Sequence, residues 1–193
     1  MIRFIIILIF YFTICFCQSK VGTSAAPFLG IGVGVRSMGM GGAVTANPTD
    51  ASIIYWNSGA VSRISGNQVH FTNSEWLVGT KWNIMSAVFH PSTRNTLGFY
   101  ITHLDYGEEQ VTTLEDQDGT DEYWTASDLA LGFVYAHNLT DRFSMGGTAK
   151  YIHQSIYHET ASSGALDVGL LYQNFRGNMR LGMNISNVGF DMI

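Results

Sequence analysis

The hydrophobic pattern of the chain changes near Gln68. From there onward, apolar residues alternate with small or polar residues in segments separated by turn residues. Because successive side chains of a β-strand point to opposite faces, this period of two predicts strands. We predict about seven of them, over residues 68–78, 82–90, 95–106, 123–138, 141–158, 164–175 and 179–188.

The segment DLALGFVYAHN shows the alternation most clearly. Its large residues share one face (Leu129, Leu131, Phe133, Tyr135 and His137), and its small residues share the other (Ala130, Gly132, Val134 and Ala136). A β-sandwich gives a similar pattern, but its outer face usually carries many Lys, Glu and Thr residues, which these strands lack. An apolar face opposite a small or polar face is typical of a membrane barrel. The predicted fold class is all-β: an antiparallel transmembrane β-barrel, or the N-terminal half of one.

The predicted connections alternate between short and long. PSTRN, NLTD and FRGN are short, whereas residues 107–123 and the stretch ETASSG are longer or more polar. Outer-membrane barrels have short periplasmic turns and longer outer loops, so we place residues 107–123 outside the cell. Aromatic residues near strand ends are expected at the membrane interfaces: Trp76, Trp82, Tyr106, Tyr123, Trp124, Tyr157 and Tyr172.

The N-terminus has the pattern of a secretory signal peptide, which we assign to residues 1–17. One positive charge, Arg3, precedes a nearly unbroken apolar run that ends in small residues suited to cleavage. An uncleaved anchor and a lipid anchor on Cys17 are the alternatives. Both cysteines of the chain lie in this segment, so the mature protein is expected to have no disulfide framework.

Composition supports membrane β-structure and argues against a nucleic-acid partner. Charged residues make up 13% of the chain, about half the usual share of a soluble protein. The net charge is −5, and there is no cluster of Lys and Arg to bind phosphates.

Residues 18–65 are rich in Gly, Ala and Ser and lack the alternation of the strands. The stretch PTDASIIYW is suited to a short helix with Thr49 or Asp50 as its N-cap. We predict that this segment folds back into the barrel lumen as a plug, which we call the hatch. The residues predicted to plug and gate it are Gly41, Gly42, Asp50, Tyr55, Trp56 and Asn57. Packing of the hatch without any gating role is the alternative for all six.

The same segment resembles the N-terminus of the PorV/PorQ-type branch of the FadL-like outer-membrane barrels. That branch has a Gly-rich stretch, an Asp-Ala pair, and an aromatic-Asn-Pro-Ala-Gly motif. The matching residues here are Gly39, Gly41, Gly42, Asp50, Ala51, Tyr55, Trp56 and Asn57. Ser58, Gly59 and Ala60 replace the Pro-Ala-Gly portion. The resemblance implies a barrel of about fourteen strands with an N-terminal hatch.

The resemblance implies a non-enzymatic protein of the bacterial outer membrane. The first expected role is in protein secretion, as a type IX-like accessory or shuttle component. The alternative is a FadL-like channel for hydrophobic small molecules, and a purely structural protein of the envelope is the third possibility. Expected partners are outer-membrane lipid together with secretion-system proteins or secreted cargo, or hydrophobic small molecules in the alternative role. No cofactor is expected.

Seven strands leave two sheet edges without partners, which a lipid bilayer does not tolerate. We therefore expect residues 66–193 to form an incomplete set of barrel strands, part of a longer protein. A small barrel with one further strand within EQVTTLED is the alternative.

Three motifs that could carry chemistry lack the residues that such chemistry needs. The glycines of GIGVGVRSMGMGG lack the Lys-Ser/Thr signature of a phosphate loop. The six histidines show no metal-binding spacing, so no metal site is predicted. The acidic stretch EDQDGTDE lacks the residue order of an EF-hand, so a solvated loop is expected, with weak binding of a divalent cation as the alternative.

Overall fold

The computed structural model describes residues 25–174 and 179–192. The predicted signal peptide lies outside the described residues. From residue 25 to residue 65 the chain forms short helical turns. Two of them are α-helices, α1 (Val35–Gly39) and α2 (Ile53–Trp56), and two are 3-10 turns, Pro27–Gly30 and Val61–Arg63. A third 3-10 turn, Leu77–Gly79, follows the first strand.

The rest of the described chain forms seven strands in one antiparallel sheet, ordered as they occur in the sequence. The strands are β1 (Gln68–Glu75), β2 (Lys81–Phe89), β3 (Asn95–Gln110), β4 (Tyr123–Asn138), β5 (Phe143–Ile156), β6 (Glu159–Gln173) and β7 (Arg180–Gly189). The predicted all-β class and strand number are confirmed. Within the described residues β1 and β7 are the two edges of the sheet.

Two predicted boundaries are wrong. The stretch ETASSG was expected to be a connection, but it forms the first part of β6, where Glu159 pairs with Ile156 across a turn at Tyr157 and His158. The turn is tight because Tyr157 adopts a left-handed conformation with φ 54°. At the other boundary, β3 continues to Gln110 past an irregularity between Asp105 and Glu108, so EQVTTLED begins inside a strand.

The two faces of the sheet differ as the alternation predicts. On β4, Ala130 and Val134 are fully buried, whereas Phe133 and Tyr135 are 56% and 49% exposed. The buried face packs against residues 25–65, and we call it the inner face. The opposite, outer face presents large apolar side chains to the surroundings. None of the described helices is long and apolar enough to cross a membrane.

Two apolar clusters join the hatch to the inner face. In the first, Ile54 and Val61 of the hatch pack with Val134 and Leu171 of the sheet. In the second, Phe28 packs edge-on against Trp82, with 6.4 Å between the ring centroids. Trp82 is 2% exposed, so its expected place at a membrane interface is wrong. Its position in β2 puts the ring on the inner face, where it contacts the hatch. The same expectation is wrong for Tyr106 and Trp124, which line a cavity on the inner face.

Candidate functional site

The backbone of the hatch comes close to the sheet over two paired glycines. Gly146 of β5 and Gly169 of β6 are direct cross-strand partners. A methyl group on Gly146 would lie 2.6 Å from the carbonyl carbon of Ser58, and one on Gly169 would lie 2.7 Å from the nitrogen of Gly59. Any larger residue at either position would therefore collide with the hatch backbone. The two glycines form a seat for Ser58 and Gly59.

A third glycine extends the contact to β7. A methyl group on Gly182 would lie 2.6 Å from the carbonyl carbon of Thr45. A glycine of the hatch is required in the same way: a methyl group on Gly59 would lie 2.7 Å from the carbonyl carbon of Gly169 in the sheet. The backbone of the hatch is therefore in direct contact with the backbone of β5, β6 and β7, and these contacts require small residues in both segments.

Asn57 ties the hatch to the sheet above this seat. Its side-chain nitrogen donates hydrogen bonds to the Leu170 carbonyl of β6 (3.0 Å) and to the Thr45 carbonyl of the hatch (2.7 Å). Its side-chain oxygen accepts a hydrogen bond from the Gly59 nitrogen at 2.9 Å. Asn57 is completely buried, so the loss of these bonds would leave backbone groups without partners.

Tyr55 and Trp56 fill the space between the hatch and the sheet. The Tyr55 ring packs edge-on against Tyr100 of β3, with 5.9 Å between centroids, and its hydroxyl donates to the Leu29 carbonyl. The indole nitrogen of Trp56 donates to the Val33 carbonyl at 2.9 Å. Burial, together with the negative charge of Asp167, raises the pKa of the Tyr55 hydroxyl. The phenol is therefore a hydrogen-bond donor at physiological pH.

Gly41 and Gly42 end helix α1. Both adopt left-handed conformations, with φ 63° and 78°, which favour glycine. The Gly42 nitrogen donates to the Ser37 carbonyl at 2.9 Å, which closes the last turn of the helix. A methyl group on Gly42 would also lie 3.1 Å from the Trp56 ring, whereas one on Gly41 would meet nothing within 4 Å.

Asp50 organises the start of helix α2. Its carboxylate accepts a hydrogen bond from the Ser52 nitrogen at 2.9 Å and a longer one from the Thr49 hydroxyl at 3.3 Å. Burial favours the neutral form, but these hydrogen bonds outweigh that effect and lower the pKa of Asp50. The N-cap expected at Thr49 or Asp50 is occupied by Ser52, whose backbone Asp50 supports.

The family model for type IX secretion system protein PorV matches residues 16–193. The chain belongs to the PorV family. Neither the curated proteins nor the solved structures give a match. Membership implies a component of type IX secretion and confirms the PorV-type resemblance of the hatch motif. The wider link to FadL-like barrels stays a prediction.

The structure of this PorV-family chain places the six predicted hatch residues in three roles. Tyr55, Trp56 and Asn57 lie together between the hatch and the sheet, with Gly42 beneath the Trp56 ring. Asp50 supports the helix that carries them, whereas Gly41 contributes backbone conformation. Their gating role stays a prediction.

Sequence reasoning missed a buried ion pair on the inner face. The Lys150 ammonium of β5 lies 2.7 Å from the Asp167 carboxylate of β6, and both side chains are almost fully buried. Asn187 of β7 completes the group, since its side-chain oxygen accepts from Lys150 (2.6 Å) and its backbone nitrogen donates to Asp167 (2.8 Å). The ammonium also lies 5.9 Å from the centroid of the Tyr55 ring. Isolated charges on the small-residue faces of two predicted strands were the available signal.

Sequence reasoning also missed the polar anchors at the other end of the hatch. The Arg63 guanidinium donates to the carbonyls of Thr140 and Asp141, at 2.7 and 3.0 Å. The Ser144 hydroxyl of β5 donates to the Gly59 carbonyl at 2.9 Å. These bonds fix the end of the hatch to the β4–β5 turn and to β5. Across residues 25–174 and 179–192, no group of three His, Cys, Asp or Glu side chains is arranged to hold a metal ion.

Proposed function

We propose that this protein is an outer-membrane barrel that receives secreted cargo of the type IX system and carries it to surface attachment. The observation that supports this role is the PorV family match, which covers residues 16–193. The matched region includes the hatch and all seven strands, so the proposal applies to the whole described architecture. We propose a binding and transport role with no catalytic step.

The outer face of the sheet supports a location in the outer membrane. Large apolar side chains on adjacent strands are about half exposed there: Met85, Phe99, Phe133, Tyr135, Met145, Val168 and Leu181. A continuous apolar surface over several strands is unusual on a soluble monomer, whereas a lipid bilayer would cover it. In hydrocarbon, β1 and β7 would both need partner strands, so we propose that the sheet is part of a closed barrel.

The hatch is proposed to close the lumen of this barrel. It lies on the inner face, and the Gly146–Gly169 seat and Asn57 hold it against β5 and β6. These contacts involve backbone atoms and buried hydrogen bonds, so they have one well-defined arrangement. A change in the seat would release the hatch without altering the outer face.

Deletion of the gene followed by fractionation of the cells tests the secretion role. Type IX cargo is expected to accumulate in the periplasm and to return to the surface when the wild-type gene is restored. Abundance of the other type IX components is measured in the same fractions, so that an indirect loss of the system is recognised. Normal cargo export in the deletion strain would contradict the proposal.

A channel for hydrophobic small molecules is the second candidate function. The supporting observation is a cavity of about 540 Å³ on the inner face, partly lined by Trp124, Ala126 and Ile156. This role predicts slower uptake of hydrophobic compounds by the deletion strain with cargo export intact. Unchanged uptake would count against it.

A further inference from the structure

The inner-face cavity has one feature that a site for neutral hydrophobic molecules does not need. Besides its apolar residues, it is lined by Asp128 of β4, with Tyr106 of β3 and Gln154 of β5 beside it. The register places Asp128 opposite Leu104 on one side and Gln154 on the other. The cavity therefore lies one step along the strands from Ala130 and Ile152, which pack against the hatch.

Asp128 is a buried carboxylate without a cation beside it. It is 4% exposed, and its two oxygens accept hydrogen bonds from the Tyr106 hydroxyl (2.7 Å) and the Gln154 amide (2.8 Å), which are neutral donors. Within the described part of the chain Asp128 forms no ion pair, and Lys150, which lies four residues before Gln154 in β5, is paired with Asp167. Burial of a carboxylate is costly unless a positive charge or a full set of hydrogen bonds compensates it.

The two hydrogen bonds hold the Asp128 carboxylate in place but leave some of its acceptor positions unused. An ionised carboxylate has about four acceptor positions, and Tyr106 and Gln154 use two of them. Both donors come from neighbouring strands, so the carboxylate is held in place from two sides. The remaining positions suit the three donors of a primary ammonium group.

The rest of the cavity suits the apolar body of such a ligand. Trp124, Ala126 and Ile156 supply apolar surface, and the only other charged residue that lines the described cavity is acidic, Glu159. An indole ring also attracts cations through its π-face. Both the charge and the shape of the lining therefore favour an amphipathic cation over an anion or a neutral lipid.

We propose that this cavity binds a small organic amine, with its ammonium group on Asp128 and its apolar body against Trp124 and Ile156. The site is distinct from the hatch seat and from the apolar outer face. It uses the cavity that supports the second candidate function, but the test measures binding to the isolated protein, so its failure and the failure of either transport role are distinguishable. Asp128 is the specificity-determining residue, and Tyr106 and Gln154 position it.

Calorimetric titration of the full-length protein in lipid nanodiscs provides the test. The probe is phenethylammonium, and the neutral control ligand of the same shape is 2-phenylethanol. The wild-type protein is expected to bind the amine about tenfold or more tightly than the alcohol, as a charge-assisted hydrogen bond to a buried group requires. Asp128→Asn keeps the side-chain shape and is expected to remove this preference. Glu75→Gln makes the same charge change on an exposed side chain of β1, away from the cavity, and is expected to keep it.

Folding of each variant is checked on an unheated sample, which should resist unfolding by sodium dodecyl sulfate. If Asp128→Asn does not fold, Gln154→Leu serves as the second variant, because it removes one support of the carboxylate and should weaken amine binding selectively. Equal affinity for the amine and the alcohol in the wild-type protein would overturn the proposal, as would no binding of either. An unchanged preference in a folded Asp128→Asn protein would also overturn it.

Discussion

Replacement of Gly146 by alanine should release the hatch, whereas the same replacement at Gly147 should not. The two residues are adjacent in β5, but their missing side chains point to opposite faces of the sheet. A methyl group on Gly146 would lie 2.6 Å from the Ser58 carbonyl carbon, whereas one on Gly147 would lie 3.6 Å from its nearest neighbour, the Asp167 carbonyl oxygen.

The size of the effect follows from these distances. Carbon atoms pack at about 3.5–4.0 Å, so the hatch backbone must move by about 1 Å to accept the methyl group at Gly146. A movement of that size at Ser58 would disturb the neighbouring hydrogen bond from Asn57 to Leu170. Overpacking of this kind costs about 1–3 kcal/mol. That cost corresponds to a rise of roughly 5–150-fold in the open population, the fraction of molecules whose hatch has left the sheet. Both variants share the smaller effect of alanine on the unfolded chain, so it cancels in their comparison.

Trypsin cleavage after Arg63 reports the open population. Arg63 is held by two backbone carbonyls, and its neighbours Val61, Ser62 and Ile64 are buried, so cleavage requires the hatch to leave the sheet. The cleavage rate of the purified protein is measured from the mass of the released fragment. Gly146→Ala is expected to be cleaved at least about fivefold faster than Gly147→Ala. Equal rates in the two folded variants would refute the reasoning about the seat.

Three further predictions concern the hatch and the inner face. Asn57→Ala leaves buried backbone groups without partners, so it should destabilise hatch docking by about 1–3 kcal/mol, measured by the same trypsin assay; unchanged protection would contradict it. Lys150→Met leaves the Asp167 carboxylate buried and unpaired, so it should cost about 3–5 kcal/mol in thermal unfolding. The double variant Lys150→Met/Asp167→Leu should recover most of that loss, and additive losses would contradict this account. The pKa of Asp50 is lowered in the folded state, so its ionised carboxylate stabilises the docked hatch above the unfolded pKa, and this stabilisation is lost as the pH falls through the lower, folded pKa. Trypsin is inactive at such pH values, so pepsin is used in its place. Pepsin cleavage of the hatch should rise on acidification less steeply in Asp50→Asn than in the wild type.

The strands and their faces were predictable because they depend on a local pattern. The alternation in DLALGFVYAHN places residues 129–137 of β4 on the correct faces without knowledge of any partner. The start of β6 was not predictable in the same way. Glu159 and Thr160 are polar and resemble a loop, but they extend the ladder because Ser155 and Ile156 are positioned to pair with them.

The hydrogen bonds and the ion pair on the inner face join residues that are distant in the sequence. The motif indicated that Tyr55, Trp56 and Asn57 belong to the hatch, but not that Asn57 donates to Leu170, which is 113 residues away. The pairing of Lys150 with Asp167 depends on the register of β5 and β6, which places Asp167 opposite Thr148, two residues from Lys150 on the same face. Periodicity alone does not give strand register, so it predicts the face of a charge but not its partner.

Single cysteines at three consecutive positions of β4 give the most direct test of a lipid-facing sheet with a hatch on its inner face. They replace Phe133, Val134 and Tyr135 in a background without Cys15 and Cys17, and each protein is placed in bilayers. The cysteines at positions 133 and 135 carry spin labels, which should be relaxed by lipid-soluble oxygen. The cysteine at 134 is left unlabelled, because Val134 is fully buried against the hatch, and it should not react with a water-soluble thiol reagent. Relaxation of the labels at 133 and 135 by a water-soluble nickel complex in place of oxygen would contradict the membrane location, and rapid reaction of the cysteine at 134 would contradict the docked hatch.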